Sequence, residues 1–179
     1  RVVEELGDST WIRGALSGPF SLAINLIGAE DFFLCCYDSP EKSKRVLQYS
    51  TDIIKAFGMA YIDVGADVIL FDSQASPELL SPKMYEEYVL PFTKELIEFF
   101  KAQGVADVPL IIGGKTTRII DSLIDTGANN LLCDFTADWQ KWSDQCRTHG
   151  RSLRRNIDPG FVQKATPDEI FRHSKEIIA

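Results

Sequence analysis

Asp72 and Ser73 are the first candidates for chemistry, because they follow directly after a short apolar segment, Val68–Phe71. Such a segment predicts a strand that is buried on both faces of a parallel sheet. Ligands and catalytic groups of parallel α/β proteins sit at the carboxyl ends of the strands. There a carboxylate can move a proton and a hydroxyl can orient a polar ligand. The same two residue types also suit a turn or a loop cap, so both interpretations stay open.

Lys115 is the third catalytic candidate and lies in a glycine-containing turn, Gly113–Thr117, after another predicted strand. The turn is not a Walker A phosphate loop, because that motif needs a glycine where this chain has Pro109. An anion could still bind at the N-terminus of the following helix, where the Lys115 ammonium would add positive charge. A tight strand-to-helix turn accounts for the same residues equally well.

Asp134 and Asn156 follow the next two predicted strands and are the candidates for substrate binding. Each could hydrogen-bond a ligand, or it could only satisfy the amides of its own loop. The segment Asn156–Gly160 is also a good turn sequence. Metal binding has little support, because Cys146 and His149 lie three residues apart with nothing nearby to complete a zinc site.

The composition is that of a folded and acidic domain. The 179 residues are 45% hydrophobic and 25% charged, with a net charge of −7, which disfavours binding to nucleic acid or to an anionic membrane. Arg151, Arg154 and Arg155 are the exception, and we interpret them as a solvated strand edge. The four cysteines match no disulfide framework and favour free thiols in a reducing cytoplasm.

No signal peptide and no apolar run of transmembrane length is present, so we expect a cytoplasmic protein. The first residue is arginine rather than methionine, and we expect a processed chain or a piece of a longer one.

Predicted strands and helices alternate along one domain, residues 1–179. The strands are predicted at Thr10–Leu16, Asp67–Phe71, Val108–Ile112, Asn129–Cys133 and Ser152–Ile157. Helices are predicted to open at Ser39-Pro40, at Ser81-Pro82 and at Thr166-Pro167, and to close at Gly65, Gly104, Gly127 and Gly150. This alternation predicts a parallel sheet, either open and doubly wound or part of a (β/α)8 barrel. A complete barrel needs eight strands and about 250 residues, so five strands would form only part of one.

A set of short segments resembles the uroporphyrinogen decarboxylase superfamily over essentially the whole chain. The segments are Gly18–Ser21, Asp38–Glu41, Gly65–Ile69, Asp72–Tyr85, Thr126–Ala128, Asn156–Pro159 and Thr166–Ile170. This superfamily contains the decarboxylases of haem biosynthesis and cobalamin-linked methyltransferases that act on methanol, methylamines and chloromethane. The resemblance implies a TIM barrel of which this chain is about five βα units, equivalent to strands three to seven.

The resemblance also implies roles for individual residues. The decarboxylases carry a substrate-binding serine where this chain has Ser73, and some of them carry a similar lysine where it has Lys115. They carry an active-site tyrosine where this chain has Asn25, so a phenol is missing. The methyltransferases carry the zinc ligands His-x-Cys where this chain has Ile111 and Gly113. Zinc is therefore not expected within this chain.

The resemblance favours an enzyme of this superfamily, with a lean to methyl transfer from a corrinoid such as methylcobalamin. The segments Ala75–Pro82 and Thr116–Asp121 look more like the methyltransferase branch. Uroporphyrinogen decarboxylation, which needs no cofactor, is the close alternative, and a family member that only binds a ligand is the third. Asn25, Asp134 and Asn156 would line the substrate site. The expected partners are a small-molecule substrate and a corrinoid protein, and a homodimer is one assembly that the sequence leaves open.

Overall fold

Five parallel strands form one sheet in the order of the sequence. The computed structural model describes residues 1–178. Its strands are β1 (Arg13–Ser17), β2 (Asp67–Phe71), β3 (Leu110–Ile111), β4 (Asn130–Cys133) and β5 (Ser152–Arg155). Each strand pairs in parallel with the next, as in one arc of a TIM-type barrel. The predicted fold class, a partial (β/α)8 barrel of about five βα units, is confirmed.

Helices connect the strands and cover one face of the sheet. They are α1 (Val2–Leu6), α2 (Pro19–Ile27), α3 (Ala29–Asp38), α4 (Pro40–Asp63), α5 (Pro82–Tyr88), α6 (Leu90–Ala102), α7 (Ile120–Asp125), α8 (Trp139–Thr148), α9 (Pro159–Lys164) and α10 (Pro167–Ile178). Short 3₁₀ helices lie at Ser73–Ala75 and Thr116–Ile119. Within residues 1–178, no single helix has both the length and the apolar character to cross a membrane, although α2 and α3 together, bent by 107°, pass that test.

A row of leucines crosses all five strands on the face that the helices cover. The register pairs Leu16 with Leu70, Leu70 with Leu110, Leu110 with Leu131, and Leu131 with Leu153. The first four are at most 2% exposed and Leu153 is partly buried. Because side chains alternate between the two faces of a strand, this row fixes which residues face the helices.

The opposite face of the sheet is more open, and we call it the open face. Its row nearest the strand ends contains Ser17, Phe71, Ile111, Leu132 and Arg154. Phe71 is 42% exposed, whereas its neighbour Leu70 on the helix face is fully buried. In this row the open face therefore presents apolar side chains together with Ser17 and Arg154.

Four of the five strands differ in their boundaries from the predicted ones, and the smallest difference is in β4, which begins at Asn130 rather than Asn129. The first strand begins at Arg13 rather than Thr10, because its partner β2 begins only at Asp67, with which Arg13 pairs. The last strand ends at Arg155 rather than Ile157, because its partner β4 ends at Cys133. The third strand is limited to two residues, Leu110 and Ile111. The predicted strand Asp67–Phe71 is confirmed without change.

The predicted helix from Ser81-Pro82 to about Gln103 is wrong in one respect. The structure divides it at Val89 into α5 and α6. Pro91, in the first turn of α6, has no N–H to continue the hydrogen bonds of α5, and its ring disfavours an uninterrupted helix. The predicted cap is confirmed, since the Ser81 hydroxyl accepts a hydrogen bond from the Met84 amide at 3.2 Å.

Two further helix signals and the prediction of free thiols are confirmed, whereas the reducing cytoplasm stays a prediction. Gly65, Gly104, Gly127 and Gly150, the predicted helix ends, all have positive φ. At the start of α10, the Thr166 amide donates to Glu169 at 2.7 Å, as expected for a capping box. All four cysteines are free thiols. Burial raises the pKa of the Cys133 thiol to about 11, which keeps it protonated at neutral pH.

Candidate functional site

Asp134 and Asn156, at the carboxyl ends of β4 and β5, are in direct contact. The Asn156 amide Nδ2 donates to Asp134 Oδ2 at 3.0 Å, and Asn156 Oδ1 accepts from the Phe135 amide at 2.7 Å. Asp134 Oδ1 accepts from the amide and the hydroxyl of Thr136, at 2.9 and 2.6 Å. These bonds fix the two loops to each other. The sequence prediction that Asp134 and Asn156 lie together at this edge agrees with this geometry.

The carboxyl group of Asp134 is ionised at neutral pH. Its burial, with 7% of the residue exposed, would by itself raise the pKa. The hydrogen bonds from Thr136 and Asn156 outweigh burial and hold the pKa below its ordinary value. Asp134 can therefore accept a hydrogen bond from a ligand or stabilise positive charge, but it does not serve as a proton donor.

Lys115 makes its contact at this edge with its backbone amide and not with its side chain. Its amide donates to Glu78 Oε1 at 2.9 Å, and the other oxygen of Glu78 contacts the Ser76 hydroxyl. Gly114 has a φ of +86° and lies so close to Glu78 that a Cβ there would clash. An internal carboxylate thus occupies the place of the anion that the sequence suggested, which favours the turn interpretation. The Lys115 side chain itself is exposed.

Glu78 is the residue at this edge that the sequence analysis did not single out. Its two oxygens join the loop after β2 to the loop after β3, and the Ser76 hydroxyl also bonds the Gly113 carbonyl at 3.1 Å. The hydrogen bond from Ser76 lowers the pKa of Glu78. Because Glu78 and Lys115 are 37 residues apart, no local sequence pattern indicates this contact.

Asp72 lies on the helix side of the sheet and not with Asp134. It is fully buried, and its Oδ1 accepts from the amide and the hydroxyl of Ser21, at 2.8 and 2.6 Å. The Ser21 hydroxyl in turn accepts from the Gln74 amide at 3.0 Å. Asp72 thereby ties α2 to the loop after β2. This position favours the interpretation as a loop cap over a role in contact with substrate.

Ser73 and Asn25, the remaining candidates, are both exposed. Ser73 begins the 3₁₀ turn directly after Asp72, and Asn25 lies on α2 one helical turn beyond Ser21. The structure therefore brings Asp134, Asn156 and the Lys115 loop to one edge, while Asp72 faces the helices. The roles assigned to Ser73, Asn25 and Lys115 stay predictions.

We expect Asp72 to make stability depend on pH. Burial raises its pKa from 3.8 to about 6, against the hydrogen bonds from Ser21. The folded state then binds more protons than the unfolded state between about pH 4 and pH 6, so stability is highest below this window and falls as the pH rises through it. Within this window the free energy of unfolding should fall by up to about 1 kcal/mol per pH unit. Asp72→Asn should flatten this dependence, as measured by urea unfolding at several pH values.

Asp125→Asn, at an exposed residue near the end of α7, is the control for this measurement. The free energy of unfolding of this variant should depend on pH as steeply as that of the parent protein. An equal slope in the parent and in Asp72→Asn would assign the pH dependence to other groups.

The residues at the end of β3 do not fit a zinc ion. The two positions where the resemblance would place His and Cys ligands hold Ile111 and Gly113, which offer no side-chain ligand atom. Within residues 1–178, no group of three His, Cys, Asp or Glu side chains could hold a metal ion. We therefore derive no chemical step through zinc from these residues.

Known proteins of two activities are similar to this chain. A methylcobamide:CoM methyltransferase, MtbA of Methanosarcina acetivorans, is 30% identical over 98% of this chain and 51% of its own length. A uroporphyrinogen decarboxylase of Salinibacter ruber is 32% identical over 80% of this chain and 40% of its own length. The chain spans about half the length of the curated relatives that it matches.

Structure and family comparisons agree with this result. A solved methyltransferase from Methanosarcina mazei superposes with a TM-score of 0.78 at 22% identity, covering 88% of this chain and 46% of that protein. At this identity the likeness shows the fold alone. The family model described as uroporphyrinogen decarboxylase (URO-D) matches residues 1–179. The chain therefore belongs to the uroporphyrinogen decarboxylase family.

Proposed function

We propose that the protein containing this chain transfers a methyl group from a methylated corrinoid to a small-molecule acceptor. The observation that carries this choice is the similarity to methylcobamide:CoM methyltransferases, which extends over 98% of the chain at 29–30% identity in two Methanosarcina species. The corrinoid is a substrate in this proposal, presented by a partner corrinoid protein. The acceptor binds at the carboxyl edge of the sheet, beside Asp134 and Asn156.

The ionised carboxylate of Asp134 supports this chemistry. A nucleophile must carry an electron pair to the methyl carbon, and the pair of the broken cobalt–carbon bond stays on cobalt. A neutral O–H or S–H acceptor must also lose its proton, which passes to solvent, because the lowered pKa of Asp134 makes that carboxylate too weak a base to hold it. Asp134 can accept a hydrogen bond from that group and orient its lone pair, and Asn156 holds the carboxylate in place at 3.0 Å.

Uroporphyrinogen decarboxylation is the second candidate, because a decarboxylase relative is 32% identical over 80% of the chain. The exposed Ser73 would bind a substrate carboxylate, as the resemblance implies. That reaction needs an acid to protonate a pyrrole carbon. Asp134 is ionised and Asp72, whose pKa is raised to about 6, is fully buried, so neither supplies this acid at the open face.

Two assays of the intact protein distinguish the candidates. Absorbance changes of methylcobalamin, mixed with the protein and a thiol, should report loss of the methyl group. Chromatography of a uroporphyrinogen reaction should give no decarboxylated product. Product formation from uroporphyrinogen without demethylation would overturn the proposal. Binding of methylcobalamin with no turnover in either assay would instead support a member that only binds a ligand.

Asp134→Asn should lower the demethylation rate about tenfold, because a neutral amide replaces the charged hydrogen-bond acceptor at the same position; a tenfold change corresponds to about 1.4 kcal/mol of barrier. Asp144→Asn, at an exposed residue of α8, should leave the rate unchanged. Thermal melting of both variants checks that they remain folded. An unchanged rate in folded Asp134→Asn would remove Asp134 from the site.

A further inference from the structure

The loop after β3, Gly113–Lys115, is bonded on one side to the segment that follows β2, and we call it the β3 loop. Its Lys115 amide donates to Glu78 Oε1 at 2.9 Å. Glu78 Oε2 contacts the Ser76 hydroxyl, which also bonds the Gly113 carbonyl at 3.1 Å. Both ends of the β3 loop are therefore joined to Glu78, directly or through Ser76.

Asp134 lies on the other side of the β3 loop. A Cβ built on Gly113 would be 3.6 Å from Asp134 Oδ2, so the loop passes close beside this carboxylate. Burial raises the pKa of Asp134, and hydrogen bonds from Thr136, Asn156 and the Gly114 amide lower it. Of these three donors, only Gly114 belongs to the β3 loop. The direction of its amide therefore depends on how that loop is fixed.

The two glycines make the β3 loop flexible unless other residues fix it, because glycine has more conformational freedom to lose than any other residue. Gly114 has a φ of +86°, and a Cβ there would overlap the carboxyl group of Glu78, so the loop packs directly against this side chain. The hydrogen bonds that involve Glu78 and Ser76 thus restrict a segment that would otherwise adopt several conformations.

We propose that Glu78 is a positioning residue, which fixes the β3 loop so that the Gly114 amide stays directed at the Asp134 carboxylate. Glu78 acts through the loop and not on the substrate. This proposal deepens the proposed function, on which it rests for the role of Asp134 in methyl transfer. The contacts that carry it all join residues within 1–178, so they do not depend on which other parts of the protein cover this edge.

The charges on the neighbouring segments do not account for the low pKa of Asp134. Those segments carry Glu78, Lys115, Asp138, Arg154 and Arg155, and the adjacent Cys133 is a protonated thiol at neutral pH. None of these charges is among the causes that shift the pKa of Asp134, which are burial and hydrogen bonds from uncharged donors. Removing the negative charge of Glu78 would by itself lower this pKa, whereas losing the Gly114 donor would raise it.

Two substitutions of Glu78 in the intact protein separate its contacts from its charge. Glu78→Ala removes both. Glu78→Gln removes the same charge, but its amide oxygen can still accept from the Lys115 amide and its NH2 group can donate to the Ser76 hydroxyl. NMR of labelled aspartate carboxyl carbons measures the pKa of Asp134, and Asp134→Asn identifies the signal. Glu78→Ala should raise this pKa by at least about 0.3, and Glu78→Gln should leave it in place or lower it slightly.

The demethylation assay gives a second measurement. Ionised Asp134 is the active form, so the rate should fall as the pH drops through its pKa. This fall should begin at a higher pH in Glu78→Ala than in Glu78→Gln. At neutral pH the rate of Glu78→Ala should be about threefold lower than that of Glu78→Gln, because the carboxylate is less well oriented. Structural damage elsewhere would lower the rate without changing the pH at which it falls.

An equal pKa of Asp134 in Glu78→Ala and Glu78→Gln would overturn the proposal, and so would a lower pKa in Glu78→Ala than in the parent. The NMR titration needs no methyl donor, so its result is independent of the proposed function. A protein that does not demethylate methylcobalamin would contradict methyl transfer and leave the pKa comparison valid. Circular dichroism melts check that both variants are folded, as expected for an exposed residue.

Discussion

Leu70→Ala should lower the free energy of unfolding by about 3–5 kcal/mol. Leu70 is 0% exposed and lies in the leucine row on the helix face, between Leu16 and Leu110. Removing its side chain loses apolar burial and leaves a cavity that a row fixed by β-sheet hydrogen bonds cannot easily close. Equilibrium unfolding in urea, with a shared m-value, measures the change.

Phe71→Ala is the matched control for Leu70→Ala. It removes a larger side chain from the next residue of the same strand, but Phe71 is 42% exposed on the open face. We expect a loss below about 1.5 kcal/mol, because little of this ring's surface is buried against the helices. A larger loss for Phe71→Ala than for Leu70→Ala would contradict the assignment of the two faces.

Gly18→Ala should lower the free energy of unfolding by about 3 kcal/mol. A Cβ at Gly18 would overlap the carboxyl group of Asp72 well inside van der Waals contact. The Asp72 carboxyl group cannot move easily, because it accepts two hydrogen bonds from Ser21. The Gly18 backbone cannot move easily either, because its amide donates to the Phe71 carbonyl at 2.8 Å. Overpacking of a buried site costs free energy even when only one methyl group is added.

Gly113→Ala is the control for this clash. Gly113 also follows a strand, but the nearest atom to its added Cβ would be Asp134 Oδ2 at 3.6 Å, an ordinary contact. Thermal and urea unfolding of the two variants should differ clearly, with Gly113→Ala within about 1 kcal/mol of the parent. If Gly18→Ala were as stable as Gly113→Ala, the close packing of α2 against Asp72 would be wrong.

Local patterns in the sequence predicted which strands and helices form better than they predicted where each one begins and ends. The apolar segment Asp67–Phe71 and the serine cap at Ser81 are recognisable because strand burial and helix capping depend on neighbouring residues. The start of β1 at Arg13 depends instead on where β2 begins, 54 residues later. The break at Val89 was predictable in principle from Pro91, whose missing N–H is a local signal.

The candidate site likewise contains one contact that the sequence predicts and others that depend on residues far apart in the chain. Asp134 and Asn156 were expected to meet because the ends of neighbouring parallel strands lie at one edge. Ser21 could not be assigned to Asp72, nor Glu78 to Lys115, because these partners are 51 and 37 residues apart. Only the folded chain brings such pairs within hydrogen-bond distance.

The sequence by itself determined that strands and helices alternate around a parallel sheet, and which residues stand at the strand ends. The tertiary structure decided which face each of these residues occupies. Leu70 and Phe71 are neighbours in β2, as are Arg154 and Arg155 in β5, and the pleat of a strand sends neighbours to opposite faces. The helices cover one of those faces, and their packing on the leucine row leaves Arg154 on the open face and buries Asp72.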